Sequence, residues 1–182
     1  QSPHSESGFY LDNQQELFDL LTILEQRGQK TLLIGVSFAL LDFAERFQMN
    51  LKHTIVMETG GMKGRRKELI RVELHNRLKE GFGTTRIHSE YGMTELFSQA
   101  YSKGDGLFEC PNWMKVFVRN TENPLEVNSK GSGGLNIIDL ANYNSCAFLA
   151  TQDLGTVLES GVFTVNGRFD HSDVRGCNLM VN

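Results

Sequence analysis

Five consecutive positions, Tyr91-Gly92-Met93-Thr94-Glu95, set an aromatic ring, a glycine, a hydroxyl and a carboxylate side by side. Each has a use around a nucleotide. Tyr91 offers a flat face to a base. Gly92 lets a ligand approach the backbone, because it carries no Cβ. Thr94 can hydrogen-bond a phosphate. Glu95 is a hard oxygen ligand of the kind Mg²⁺ takes together with phosphate oxygens. The stretch follows a strand-like run, Thr85-Arg86-Ile87-His88, and precedes Leu96-Phe97. Taken alone, it reads sooner as a polar strand-to-loop turn.

Other positions carry chemistry of their own. Gly60-Gly61 falls between a strand-like and a helical run. Open parallel sheets bind ligands there, beyond the carboxyl ends of their strands, and a plain strand-to-helix turn has the same residues. Lys63, Arg65, Arg66 and Lys67 read as a solvated helix start. Asp153 precedes Gly155, a pattern that simple turns share. Cys177 has Arg175 two positions away. A neighbouring cation lowers a thiol's pKa, and the thiolate is the nucleophile. An isolated cysteine also serves as a small buried hydrophobe.

The order Gly60-Gly61, Tyr91-Gly92-Met93-Thr94-Glu95, Thr151-Gln152-Asp153 and Gly167-Arg168-Phe169-Asp170 resembles the adenylate-forming superfamily of acyl-CoA synthetases, luciferases and peptide-synthetase adenylation domains. Within it, the chain looks most like the acyl-protein synthetase branch, the synthetase component of the bacterial luminescence fatty-acid reductase. The resemblance runs from about Thr31 to the C-terminus. It implies that Gly60 and Gly61 look onto the adenine, that Tyr91 and Gly92 lie beside the base, and that Thr94 contacts the phosphates. It further implies that Glu95 binds Mg²⁺, that Asp153 accepts hydrogen bonds from the ribose hydroxyls, and that Arg168 reaches the ribose or a phosphate. Gln152 stands where the family has glycine. Asp170 would mark the pivot before a small C-terminal domain, and only His171 to Asn182 follow it here. In the acyl-protein synthetases a cysteine near the C-terminus takes the acyl group from the acyl-adenylate and passes it to the partner reductase; Cys177 is in that place.

The implied activity is ATP- and Mg²⁺-dependent activation of a carboxylic acid, a fatty acid above all, as acyl-AMP. Thr94, Glu95 and Cys177 would be catalytic, and an acyl-accepting protein such as an acyl reductase would be the partner. The family's Ser/Thr/Gly-rich phosphate loop has no counterpart in residues 1–30. The expectation is therefore a C-terminal portion of a longer enzyme, inactive alone.

Elements to position these residues are visible in the periodicity. Leu17, Leu20, Leu21 and Leu24 share one helical face over about 13–26. Thr31–Val36 is a continuous apolar run, as in a buried parallel strand. A helix over about 38–48 carries Leu40, Phe43, Ala44 and Phe47, and His53–Glu58 reads as a second strand. A helix over about 65–79 stacks Ile70, Leu74 and Leu78; Gly81 and Gly83 end it, and Arg86–His88 gives a third strand. The result is an α/β fold, a βαβαβ parallel-sheet portion over 1–106 that suits part of the large domain of an adenylate-forming enzyme. Short β-like runs follow at Met114–Val118, Leu135–Asp139, Ala147–Ala150, Thr156–Leu158 and Val162–Val165, separated by turns such as Gly131-Ser132-Gly133-Gly134. They predict an antiparallel β subdomain over 107–170, with a tail at 171–182.

Composition bounds the rest. The chain has 182 residues, 40% hydrophobic and 22% charged, with net charge −4 and pI about 5.7. That is an ordinary globular balance with nothing to attract nucleic acid. No apolar run approaches the roughly 20 residues needed to span a membrane. Three widely spaced cysteines suit neither a disulfide framework nor a CxxC metal site, and imply the cytoplasm. Two other readings stay open. Gly35-Val36-Ser37-Phe38-Ala39 sits where a nucleophile elbow would, with Asp139 or Asp153 and His171 to complete a triad, although Ala39 replaces the last glycine and Ser37 suits a helix cap. The other is a nucleotide-binding module without catalysis.

Overall fold

A parallel pair of strands wrapped by helices, then a run of antiparallel strands, makes up the computed structural model, which describes residues 4–60 and 69–169. The α/β class read from the sequence is the one observed. The chain divides into two compact units, residues 1–87 and 88–182. The expected division lay near residue 106. The antiparallel hairpins begin earlier than the loss of helical periodicity suggests, because Tyr91 already pairs with Ala100.

In the first unit, helix α1 (Gln14–Gln26) leads to strand β1 (Thr31–Val36), helix α2 (Ser37–Arg46), strand β2 (Thr54–Thr59) and helix α3 (Arg71–Phe82). β1 and β2 are parallel, with Thr31 opposite Thr54 and Val36 opposite Thr59. Leu33 and Val56 point into a core built with Leu21, Leu40, Leu41, Phe43, Leu74, Leu78, Phe82 and Ile87. Leu21 of α1 and Leu40, Phe43 and Ala44 of α2 are buried there, with Leu17 and Phe47 packed against them. Among the described residues, only this face of the strand pair is covered. Leu32, Ile34 and Ile55, which alternate onto the other face, are about half exposed. Ile70, expected on the buried stripe of α3, precedes the helix and is exposed. Gly83 ends α3 in the left-handed region at φ 60°, where a Cβ would lie 2.5 Å from the Met49 carbonyl oxygen. Gly81 lies within the helix rather than stopping it.

The second unit contains β3 (His88–Tyr91), β4 (Ala100–Ser102), β5 (Phe108–Glu109), β6 (Met114–Arg119), β7 (Val127–Asn128), β8 (Gly131–Asp139), a 3-10 turn (Leu140–Asn142), β9 (Phe148–Val157) and β10 (Phe163–Arg168). Within it the strands follow the order β3-β4-β5-β10-β9-β8-β6-β7, every neighbouring pair antiparallel. Phe108, Phe163, Leu135, Ile137, Val116 and Tyr91 fill its core.

Two expected turns are strand instead. Gly131–Gly134 opens β8, paired to β9 on one side and, at Gly134, to Arg119 on the other. Glycine suits this place because a Cβ on Gly133 would lie 2.3 Å from the Arg119 carbonyl oxygen. The short runs at 147–150 and 156–158 fuse into the single strand β9, so Thr151-Gln152-Asp153 is strand rather than turn. Among the described residues, no helix is long and apolar enough to cross a membrane.

Candidate functional site

Asp153 is the centre of the best-organised cluster. It lies on β9 and is 8% exposed. Its backbone N–H donates to the Thr151 hydroxyl at 3.1 Å, and that hydroxyl donates to the Leu135 carbonyl at 2.9 Å. The Tyr91 hydroxyl donates to Asp153 Oδ2 at 2.7 Å. Arg168 Nε lies 3.1 Å from Oδ1. A register shift in β10 between Val165 and Gly167 brings Arg168 opposite Asp153. Without that one-residue slip, the side chain at this point of β10 would project from the other face.

Tyr91 contributes its hydroxyl rather than an open ring. The residue is 8% exposed, and its ring packs edge-on against Phe108 and Phe163, with centroids 5.9 and 5.5 Å away. Burial first, then the bond to Asp153 and the charge on it, push the phenol's pKa well above its usual range. Tyr91 therefore stays a donor at any physiological pH. Arg119 closes the inner side of the cluster. Its guanidinium donates to the Leu135 and Thr151 carbonyls and, at 2.8 Å, to Asn136 Oδ1, and lies 5.3 Å from the Phe169 ring centroid. Neither spacing nor composition marked Arg119; its role follows from where β6, β8 and β9 lie side by side.

The turn after β3 carries Gly92, Thr94 and Glu95, all exposed. Its shape is set from elsewhere in the unit. Asp139, 0% exposed at the end of β8, accepts the Phe97 and Ser98 N–H groups on Oδ2 at 2.9 and 2.8 Å. Its Oδ1 takes the Ser98 hydroxyl at 2.7 Å and the Ala141 N–H at 3.1 Å. Burial pulls its pKa up, but the Ser98 hydroxyl and the three N–H donors outweigh it, so the carboxyl is held below the usual range. The sequence alone offers Asp139 a part only in a hydrolase triad.

Gly60 directly follows β2 in the first unit, with φ at 71°. Gly61 and Cys177 lie outside the described residues, as do Lys63, Arg65, Arg66, Lys67, Asp170, His171 and Arg175. The structure thus brings Tyr91, Asp153 and Arg168 together and sets Thr94 and Glu95 on one turn.

Ser37 neither caps α2 nor stands free as a nucleophile. The helix begins at Ser37 itself, after Val36. The hydroxyl, on a residue 1% exposed, lies 2.8 Å from Glu58 Oε2 and 3.0 Å from the Gly60 carbonyl. Glu58 is a buried carboxylate, and buried charge takes the donors within reach: Ser37, and Arg71 Nη1 at 2.7 Å, with His75 Nε2 at 3.5 Å. A nucleophile elbow needs an exposed hydroxyl, and both aspartates named for the triad are engaged by other partners.

Solved structures share the fold. ATP-bound MatB from Rhodopseudomonas palustris aligns with a TM-score of 0.62 at 17% identity, over 87% of this chain and 34% of that one. Coronafacic acid ligase from Pectobacterium brasiliense aligns at 0.57 and 17% identity, over 84% and 32%. O-succinylbenzoate coenzyme A synthetase from Bacillus subtilis, in complex with AMP, aligns at 0.55 and 19% identity, over 85% and 42%. At such identities the likeness is one of fold, and the chain spans about a third of the length of the first of these structures. No protein-family model matches the sequence, and no curated protein matches it.

Proposed function

We propose that this chain is the nucleotide-holding part of a carboxylate-activating ligase of the acyl-protein synthetase kind. ATP and a fatty acid would give acyl-AMP and pyrophosphate. The acid's carboxylate oxygen attacks the α-phosphorus, the bond from that phosphorus to the bridging oxygen breaks, and pyrophosphate leaves. The Cys177 thiolate then attacks the acyl carbon, AMP leaves, and the thioester is passed to a nucleophile on an acyl-accepting protein such as a reductase. The observation that carries the reading is the Tyr91–Asp153–Arg168 cluster on a fold shared with proteins solved with ATP and with AMP.

In this reading Asp153 accepts hydrogen bonds from the ribose hydroxyls. Tyr91 and Arg168 fix the carboxylate's plane beforehand, so little ordering remains to be done on binding. Arg168, with a largely exposed side chain, takes a ribose or phosphate oxygen. Gly60, Gly61 and Gly92 let the base come near the backbone. Thr94 holds the phosphates. Glu95 suits Mg²⁺. Among the described residues no three His, Cys, Asp or Glu side chains gather as a metal cage, and one exposed carboxylate beside a hydroxyl matches an ion that takes most of its ligands from phosphate and water. Bound there, Mg²⁺ would neutralise charge on the phosphates.

The test is the intact mass of the natural protein containing this chain, after incubation with ATP, Mg²⁺ and a panel of fatty acids. An acyl adduct removed by hydroxylamine and abolished by Cys177→Ser is expected. Absence of an adduct with every acid removes Cys177 from the mechanism. AMP binding without pyrophosphate exchange would point to a second reading, a binding module without catalysis.

A further inference from the structure

We propose that Asp139 is a positioning residue: with Ser98, Trp113 and Asn142 it sets the backbone of the Thr94–Glu95 turn for metal-bound phosphate. This rests on the nucleotide reading above. The turn between β3 and β4 has little to hold it from within; one backbone bond, Leu96 N–H to the Met93 carbonyl at 3.0 Å, closes it, and Leu96 is its buried anchor. The remaining constraints come from residues later in the unit.

Asp139 gathers the two N–H groups just after the turn, from Phe97 and Ser98, onto one oxygen. Its other oxygen takes the Ser98 hydroxyl, which in turn accepts the Trp113 indole N–H at 2.9 Å. The Trp113 carbonyl accepts the Leu140 N–H at 2.9 Å, which ties the indole to the segment following Asp139. From the other side, Asn142 Nδ2 donates to the Glu95 carbonyl at 2.8 Å and to the Cys146 carbonyl at 3.0 Å. Glu95 is therefore clamped by its main chain while its side chain stays exposed.

Two features argue that the cluster serves the turn rather than the sheet. The strands that carry it are already paired by their own ladders, Tyr91 with Ala100 and Met114 with Asp139; Asp139's carboxylate adds no ladder bond. Asn142 reaches the Glu95 carbonyl at a cost. Its Oδ1 is buried with no hydrogen-bond partner among the described residues, and an unmet buried acceptor is unfavourable. Both carbonyls that it serves need its NH₂, so turning the amide over would lose two bonds to mend one. Groups one layer behind a metal ligand fix its orientation, and removing them typically lowers metal affinity roughly 10- to 100-fold.

The experiment uses the 182-residue chain and two ligands, AMP without metal and ATP with Mg²⁺, titrated calorimetrically against wild type, Asp139→Asn and Ser98→Ala. Trp113, the sole tryptophan, gives a parallel fluorescence signal. Expected is a roughly 10- to 100-fold weaker MgATP affinity in both variants. AMP affinity should stay within about twofold, since the Asp153 cluster shares no partner with Asp139. The wild-type change in Trp113 emission on adding MgATP should vanish in Ser98→Ala. MgATP affinity unchanged in the variants overturns the proposal. So does an equal loss for both ligands, which would make Asp139 a mere prop of the unit; Ser98→Ala, the milder change, keeps this arm open where Asp139→Asn does not fold. If neither wild type nor the natural protein containing this chain binds either ligand, the nucleotide reading fails and this inference falls with it; where only the natural protein binds, the same variants are compared in it.

Discussion

Asp153 shows how one carboxylate is made directional. Tyr91 takes one oxygen and Arg168 the other, so the lone pairs left over face a fixed direction. Tyr91→Phe keeps the ring contacts with Phe108 and Phe163 and removes only the donor. The buried Oδ2 then loses a charge-assisted bond, and urea titration should show a stability loss of about 1–3 kcal/mol. Asp153→Asn added to that background should cost little more, because the pair acts as a unit. The cysteines differ in the same residue-level way. Burial raises the Cys110 thiol to about 11, so at pH 8 about one in a thousand is ionised. Cys146 is exposed. Iodoacetamide followed by peptide mass mapping should label Cys146 well before Cys110, which stays largely unmodified until the chain unfolds.

At the scale of elements, the two units are held by different devices. In the first, Glu25 at the end of α1 accepts the Thr54 hydroxyl at 2.7 Å and the Lys52 and His53 N–H groups at 2.9 and 3.0 Å, tying the helix to the start of β2. Burial opposes the charge, but these bonds and the nearby His53 leave its pKa lowered. A carboxyl with a depressed folded pKa contributes stability that is present above its unfolded value, near 4.3, and is lost as pH falls through the folded one. Wild type should thus lose more stability than Glu25→Gln on acidification below about pH 5, followed by far-UV circular dichroism because the first unit has no tryptophan. In the second unit, Gly133→Val would drive a Cβ into the Arg119 carbonyl, and a loss of about 1–3 kcal/mol is expected from thermal melts.

Those two devices also explain what could be read beforehand. Leu21, Leu24, Leu40, Phe43 and Ala44 announced their helices because burial at a 3.6-residue period leaves a mark in any one segment. Asp153 and Arg168 were legible as types in a familiar order. Their meeting was not, since it depends on the β10 register shift. Gly131–Gly134 looked like a turn because glycine signals both turns and close backbone approach, and only the partner strand distinguishes them. Asp139 was invisible for the same reason: its partners Phe97 and Ser98 lie some forty residues away.

For the molecule as a whole, the two units have separate cores, and Trp113 reports only on the second. Denaturation followed by Trp113 emission and by far-UV circular dichroism should give two non-coincident curves where the units differ in stability, the departure from two-state behaviour that separate cores permit.

The uncovered side of β1 and β2 has a practical bearing on anyone handling the chain. Parallel strands are ordinarily sheathed on both sides, yet among the described residues Leu32, Ile34 and Ile55 meet solvent, and β1 is an edge strand. Such a bare, greasy rim invites sideways stacking. The chain should grow turbid as it is concentrated, and a Leu32→Lys, Ile34→Glu double variant should stay clear by light scattering while keeping the wild-type melting profile, since neither side chain belongs to the packed interior.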